Sequence, residues 1–471
     1  MCLRGESLMI QDEKKQKALL YTTLVAGCMT TINTSTVNIA LPTFIEIFQT
    51  DLSTAQWLMI GYMLALGTVM PMVGYFGERY SYRRMYLTAL LFVALFALGC
   101  ALSWNIWSLI FFRILKGMAA GFILPCTMTL IYRYIPKQKQ ASFLGLSVTF
   151  SSLGVTIGPS ISGFLLTFFN WHSLFLINLP LIAVAFLLAR SSIPEEVGVH
   201  KERLDIKGMC LMAVGTVAIL IGFTEVEAWG WHSPLFYGSL LLGIGLLVLF
   251  IRLESHSREP LLNFKVFRYT PFAITVLIIA ALNITFTITP LLMAVYLQTI
   301  QGYTAFEAGL IMLVPSAVMV LATNLTRRLI ATRTNKQLIL SGLVLAAAGN
   351  FFMQFAQIDS ALWFIIPMLS LRYFGVGILN MPLSDYGMRV LPPELSGHGS
   401  AMLNWCKQIA SVIWLSMLTA LLTISTEYYG QHGAEPMQAS MAGVNVVFLT
   451  LALALGCIWF AAFFLVKNTR R

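Results

Sequence analysis

Along its whole length the chain alternates apolar runs with short polar connections. The runs fall at 18–40, 52–72, 85–103, 106–130, 142–166, 173–190, 208–226, 234–252, 271–297, 305–326, 337–357, 361–390, 400–424 and 442–466. Each is near or above the roughly 20 residues that carry a helix across the hydrocarbon. The pattern predicts an all-α integral membrane protein with 14 transmembrane helices, since only helices and closed barrels satisfy their backbone groups in lipid. The third and fourth runs are parted only by "WNIW", Trp104 to Trp107, so the count depends on a break there.

The polar connections set the orientation. Lys and Arg gather in alternate ones, "DEKKQK", "RYSYRR", "RYIPKQK" and "RRLIATRTNK" among them, while the opposite set, such as "EVEAWGWHSP" and "QTIQGYTAFEAG", has almost none. The positive-inside bias predicts cytoplasmic N- and C-termini.

Composition strengthens the membrane assignment: 58% of residues are hydrophobic and 11% charged, against about 25% charged in soluble domains. The net charge of +10 does not point to nucleic acid, because the basic residues are dispersed among loops flanking the spans, where topology and anionic headgroups account for them. Cys28, Cys100, Cys126, Cys210, Cys406 and Cys457 sit in apolar runs and Cys2 at the start, with no spacing for a metal or disulfide framework. No metal and no cofactor is expected, and no P-loop marks an ATPase. The first run is long enough to span and has no small-residue cleavage site, so it serves as the insertion signal. "LRGE" before Met9 fits a purine-rich ribosome-binding string, which places the true start at Met9; N-terminal sequencing that found Met1 or Cys2 would overturn this.

The fourth run contains "RILKGMAAGFILP" from Arg113 and the twelfth "RYFGVGILNMP" from Arg372, each an arginine followed by small residues and Pro. Eight helices separate them, which predicts a repeated six-helix unit with two helices inserted between the copies. The expected organisation is a tail at 1–17, a first bundle at 18–190, two inserted helices with flanking loops at 191–270, a second bundle at 271–466 and a tail at 467–471.

An arginine at hydrocarbon depth costs roughly 2.5 to 3.5 kcal/mol on insertion scales, so Arg113 must face a cavity, a polar partner or backbone carbonyls. "GYFGERYSYRR" packs Gly74, Glu78, Arg79, Arg83 and Arg84 into a tight turn, read either as topological charge or as a latch between conformations. "GVTIGPSISG" sets Gly154, Gly158, Pro159 and Gly163 on the fifth helix, a flat face for close packing with a proline that permits a bend.

Together these segments resemble the major facilitator superfamily, specifically its fourteen-helix drug:proton antiporter branch. The glycine-acid-arginine loop is matched by Gly74, Glu78, Arg79, Arg83 and Arg84, with Ser81 where the family usually has Gly. The fourth-helix motif is matched by Arg113, Gly117 and Gly121, with Lys116 where Gln is common; the antiporter helix is matched by Gly154, Gly158, Pro159 and Gly163, with Ser162 for a usual Gly. "VNIALP", "AQWLMIGYMLA", "NWHSLFLINLP", "YLQTIQGYTAFEAGL" and "LNWCKQIA" extend the resemblance over essentially the full chain. It implies the major facilitator fold, two six-helix bundles plus two extra helices, rocking about a central cavity to exchange an inward proton for an outward lipophilic compound.

One departure bears on mechanism. Many members carry an Asp in the first helix where this chain has Asn33, within "TTINTSTVNIALP". Among the acids only Asp385 falls inside a helix away from loops, and Asp385, Glu225 and Glu46 are, in that order, the candidates to carry a proton. Cations are plentiful: Arg113 and Lys116 share a face, and Arg372 and Lys407 add charge in the second half. A cavity so lined disfavours a lipophilic cation, which predicts a neutral, zwitterionic or anionic substrate. Asn33, Thr34, Ser35, Thr36 and Asn38 read as hydrogen-bonding groups, most bonded back to their own helix, with Asn33 facing the cavity. Trp57, Tyr62 and Trp405 line the same space or pack helices.

The expected function is therefore secondary export across a bacterial inner membrane, not enzymic catalysis, with small-molecule substrate, protons and lipid as partners and no obligate protein partner. The alternatives are an exchanger or uniporter of a specific neutral or anionic metabolite or lipid, and a nontransporting membrane sensor.

Overall fold

A computed structural model describes residue 10 and residues 12–50, 52–195, 205–257, 260–330, 332–392 and 395–466. Tails 1–9 and 467–471, with the Met9 start, lie outside the described residues. The chain runs as successive long helices: α1 (Glu13–Phe48), α2 (Leu52–Val69, a turn at Met70–Met72, then Val73–Tyr80), α3 (Tyr82–Ala101), α4 (Ile106–Ala120, then Ile123–Tyr134) and α5 (Lys137–Phe168). They continue as α6 (Ser173–Leu176, then Asn178–Ser192), α7 (Ile206–Thr224), α8 (Pro234–His256), α9 (Thr270–Ala294, then Val295–Ile300) and α10 (Ala305–Leu329). Last come α11 (Asn335–Met353), α12 (Leu362–Met388), α13 (Ser396–Gln431) and α14 (Pro436–Leu465). Among the described residues, twelve helices are long and apolar enough to cross a membrane, α2–α4 and α6–α14.

Local chemistry sets the ends. The "WNIW" break is real because Asn105 and Ser108 form a capping box that starts α4 afresh after Ala101. Thr304 with Glu307 and Thr334 with Gln337 do the same for α10 and α11. Helix α1 begins at Glu13, ahead of the expected 18, since the Asp12 side chain accepts from the Lys14 N–H at 2.8 Å and extends the helix into the basic tail. Pro71 sits in the tightened turn of α2, and Pro290 lies inside α9 just before its wide turn at Val295–Ile300.

Packing follows small residues. Helix α1 lies along α5 and α6, α2 along α4, α11 along α12 and α14, and α9 along α13. The first six and last six helices meet where α5 packs on α10 and where α13 packs on α2 and α4. Helices α7 and α8 pair with each other, and α7 touches α2 and α13. Close approaches between the two sets include those at Gly74, where a Cβ would stand 3.7 Å from the His398 ring, Gly397, 3.5 Å from the Tyr82 hydroxyl, Gly145, 3.0 Å from Arg327, and Gly67, 2.8 Å from Gln408.

Ser81 follows α2 with φ 93° and ψ 139°, a conformation that suits glycine. Holding a serine there costs about 1–3 kcal/mol, against a cap worth a few tenths, the Ser81 Oγ accepting from Arg84 N–H at 3.2 Å. Ser81→Gly is therefore expected to raise stability by about 1 kcal/mol, read as a higher thermal midpoint of the detergent-purified protein; an unchanged or lower midpoint would contradict the strain.

Candidate functional site

The centre of the first six helices is built around Asn33. Gly117 and Gly121 seat α4 directly on α2, since a Cβ at either would stand 2.5 Å from the Tyr62 carbonyl oxygen or 2.7 Å from that of Leu66. That approach delivers the Leu58 carbonyl to the Arg113 Nε at 3.0 Å. The Arg113 Nη1 donates to Asn33 Oδ1 at 3.4 Å and to the Asn33 carbonyl at 3.5 Å. From the next turn of α4, Lys116 Nζ donates to the same Asn33 Oδ1 at 2.8 Å. The amide's other end is used too: Asn33 Nδ2 donates to the Tyr62 hydroxyl at 3.3 Å. Aromatic faces complete the shell, Tyr62 lying 4.6 Å from the Arg113 guanidinium and Phe175 5.5 Å from the Lys116 ammonium.

Asn33, Arg113 and Lys116 are 3%, 1% and 0% exposed. Asn33 thus does not border an open cavity in this conformation, contrary to expectation: the two cations close over it. Two charges share one neutral amide oxygen, and neither has an ion pair with a carboxylate among the described residues. Of the threonines expected to bond back into α1, Thr34 donates to the Thr30 carbonyl at 3.0 Å, whereas the buried Thr36 hydroxyl has no partner among the described residues. The side chains of Ser35 and Asn38 lie outside the described set.

The last six helices repeat the device. Arg372 of α12, 2% exposed, donates to the Thr285 carbonyl of α9 and stacks 4.9 Å from the Tyr373 ring. Gly349 clears α11 from it, since a Cβ there would stand 2.6 Å from the Arg372 nitrogen. Sequence reasoning missed the partner helix, although "NITFT" from Asn283 in α9 echoes "NTST" from Asn33 in α1.

The other expected residues are dispersed. Asp385 is half-buried on α12, accepts from Asn335 Nδ2 at 3.2 Å and interacts electrostatically with Tyr132 of α4 across the junction of the two sets. Glu225 caps the end of α7, and Glu46 is exposed near the end of α1. Trp57 packs with Leu64, Leu220 and Val412, and Trp405 is buried in the core of the last six helices. Lys407 on α13 is exposed and touches none of the Asn33 cluster. In the turn after α2, Arg83 donates to the Arg190 carbonyl at 2.8 Å and pairs with Glu195 at 3.6 Å, an exposed pair worth under about 1 kcal/mol. Arg79 reaches the Tyr75 hydroxyl at 3.4 Å. Glu78 interacts electrostatically with His398 of α13, and Gly74 packs beside the same ring. Arg84 lines a separate lateral cavity of about 640 Å³ between α2, α3 and α4, with Phe76, Phe92 and Phe122. On α5, Gly154, Gly158 and Gly163 are buried, and Ser162 Oγ donates to the Thr36 carbonyl at 2.8 Å. The Pro159 side chain is outside the described set.

A multi-pass, all-helical membrane protein with charged side chains pinned between its helices is the class this fold and site define. Comparison supplies the family. The Major Facilitator Superfamily model matches residues 23–415. The chain is 29% identical over 469 residues to the "Uncharacterized MFS-type transporter YcnB" of Bacillus subtilis, covering 98% of each. It is 27% identical to the lincomycin resistance protein LmrB of Listeria monocytogenes, over 92% of this chain and 93% of that one. It is 26% identical to the multidrug resistance protein B homolog of Mycobacterium tuberculosis, over 85% and 75%. The human organic anion transporter MFSD10 shares the fold with a TM-score of 0.65 at 13% identity, over 96% of this chain and 99% of that one. The peptide transporter POT in complex with sulfate does so at 0.65 and 15%, over 99% of each. The chain belongs to the Major Facilitator Superfamily, and it is a transporter, not an enzyme.

Proposed function

We propose that the protein is a proton-driven exporter of lipophilic or amphipathic small molecules that carry no net positive charge, working by alternating access between its first and last six helices, with both termini cytoplasmic. Relatives named for lincomycin and multidrug resistance support export. The observation that carries the charge preference is Asn33 standing between Arg113 and Lys116: among the described residues the interior of this half holds these two cations and no carboxylate paired with them. A lipophilic cation entering there meets repulsion uncompensated by protein charge. Each charge moved down 100 mV supplies about 2.3 kcal/mol, enough to drive export without nucleotide. Asp385 is the leading proton group, because its place at the junction changes its solvation as the halves move.

In an efflux-deficient bacterial host, expression is expected to lower accumulation of neutral Nile red, with an uncoupler restoring it, and to leave ethidium accumulation unchanged. Arg113→Ala should reduce Nile red export by roughly tenfold or more, and Asp385→Asn should make export insensitive to an imposed pH gradient in proteoliposomes. Strong ethidium export would sink the charge argument. Coupling that survives Asp385→Asn removes that residue as the proton group, and gradient-insensitive wild-type movement would favour the exchanger or uniporter reading, which the absent carboxylate at Asn33 also fits.

A further inference from the structure

Among the described residues, Arg113, Lys116, Arg372 and Lys407 lie within the helices at membrane depth. Three are committed to protein: Arg113 and Lys116 to Asn33, and Arg372 to the Thr285 carbonyl. Lys407 is not. Its ammonium makes no hydrogen bond or ion pair with any described residue, yet it stands about 16 Å along α13 from its start, well inside the bilayer.

Its face of the helix shows where it points. Ser400, Asn404, Lys407, Ser411 and Trp414 recur at helical spacing and form one stripe. Ser400 Oγ and Asn404 Nδ2 approach the Met128 sulfur of α4 at 3.4 and 3.8 Å. Ser411 Oγ donates to Asn283 Oδ1 of α9 at 3.3 Å, and Trp414 Nε1 to the Ala280 carbonyl at 2.9 Å. The stripe therefore faces α4 across the junction at Ser400 and Asn404 and α9 at Ser411 and Trp414, and Lys407 stands between these two stretches. An exposed residue on that face opens into the space between them.

We propose that Lys407 is the anchor for the negative head of an amphipathic substrate, specifically a lipophilic carboxylate; this rests on the export reading and narrows its substrate class. An unpaired ammonium at this depth is costly, and a partner arriving with the substrate offsets that cost where bulk water is thinned. The surrounding cations add potential of the same sign, so the passage attracts anions and repels cations before contact is made. A lysine accepts a carboxylate in many orientations, unlike the planar arginine fork, which suits substrates of varied shape. Met128, polarisable and unbranched, gives the apolar body beside that head an adaptable wall.

The test uses the full-length protein in nanodiscs of zwitterionic lipid, with dansylamino-undecanoic acid, its methyl ester and the matched dansyl alkylammonium as probes, read by energy transfer from tryptophan. Wild type is expected to bind the acid about tenfold or more tighter than the ester, a difference of about 1.4 kcal/mol or more, and the ammonium most weakly. Lys407→Gln should abolish the preference for the acid, while Lys407→Arg keeps it. Equal binding of acid and ester by wild type, tighter binding of the ammonium, or an undiminished acid preference in Lys407→Gln would each overturn the assignment. The wild-type comparison decides even where a variant fails to fold. Should the export reading alone be wrong, the acid preference persists in nanodiscs while proteoliposomes show no gradient-driven movement of the acid.

Discussion

Asn33→Leu is expected to cost about 3–5 kcal/mol of stability, the range for breaking a buried charge's partnership, and to abolish export. The substitution keeps the volume and removes the one side-chain oxygen that Lys116 and Arg113 share. Arg113 retains the Leu58 carbonyl, but Lys116, 0% exposed, keeps among the described residues the ring of Phe175 alone. Asn33→Asp should act in the opposite direction: a carboxylate in the same place pairs both cations, raises the thermal midpoint, and opens the transporter to ethidium. Thermal unfolding in detergent and dye accumulation in cells read both variants. A leucine variant of wild-type stability would show that the cations are satisfied elsewhere.

Gly154→Val is expected to be nearly as damaging, for a steric reason. A Cβ on Gly154 would lie 2.1 Å from the Thr31 hydroxyl and 2.5 Å from the Cys28 carbonyl oxygen. The second is backbone of α1 and cannot swing aside. Helix α5 must then back away from α1, loosening the bond from Ser162 Oγ to the Thr36 carbonyl, and overpacking of this kind costs about 1–3 kcal/mol or more. Export should fall at least tenfold and the protein should aggregate at a lower temperature. Gly154→Ala, with the same Cβ, should show a smaller loss in the same direction; wild-type export by both would mean that the close α1–α5 approach is dispensable.

How much of this was legible beforehand depends on what kind of information each feature needs. Helix order was legible because apolar length is local, and the caps at Asn105, Thr304 and Thr334 announce themselves within four residues. The pairing of Arg113 with Lys116 on one face followed from their spacing. That both converge on Asn33 did not, because which residue of α1 meets α4 is decided by Gly117 and Gly121 letting α4 sink onto α2. The openness of Asn33 was misjudged for a related reason: polarity marks a residue as needing partners without saying whether water or protein supplies them. Ser81 was visible as a departure at a glycine position, while its positive φ was not.

The partners of the two buried arginines have a consequence for how the molecule switches. Among the described residues Arg113 is held by Leu58, Asn33 and Tyr62, and Arg372 by Thr285 and Tyr373, so neither guanidinium straddles the seam. Among the described residues, side-chain bonds that do cross it include Gln408 to the Met63 carbonyl and Ser400 and Asn404 to Met128, and neither arginine takes part in them. Opening the seam therefore exposes no broken ionic contact from these anchors to hydrocarbon. The electrostatic expense of placing them in oil is met once, when each half is made, and is not charged again at every turnover.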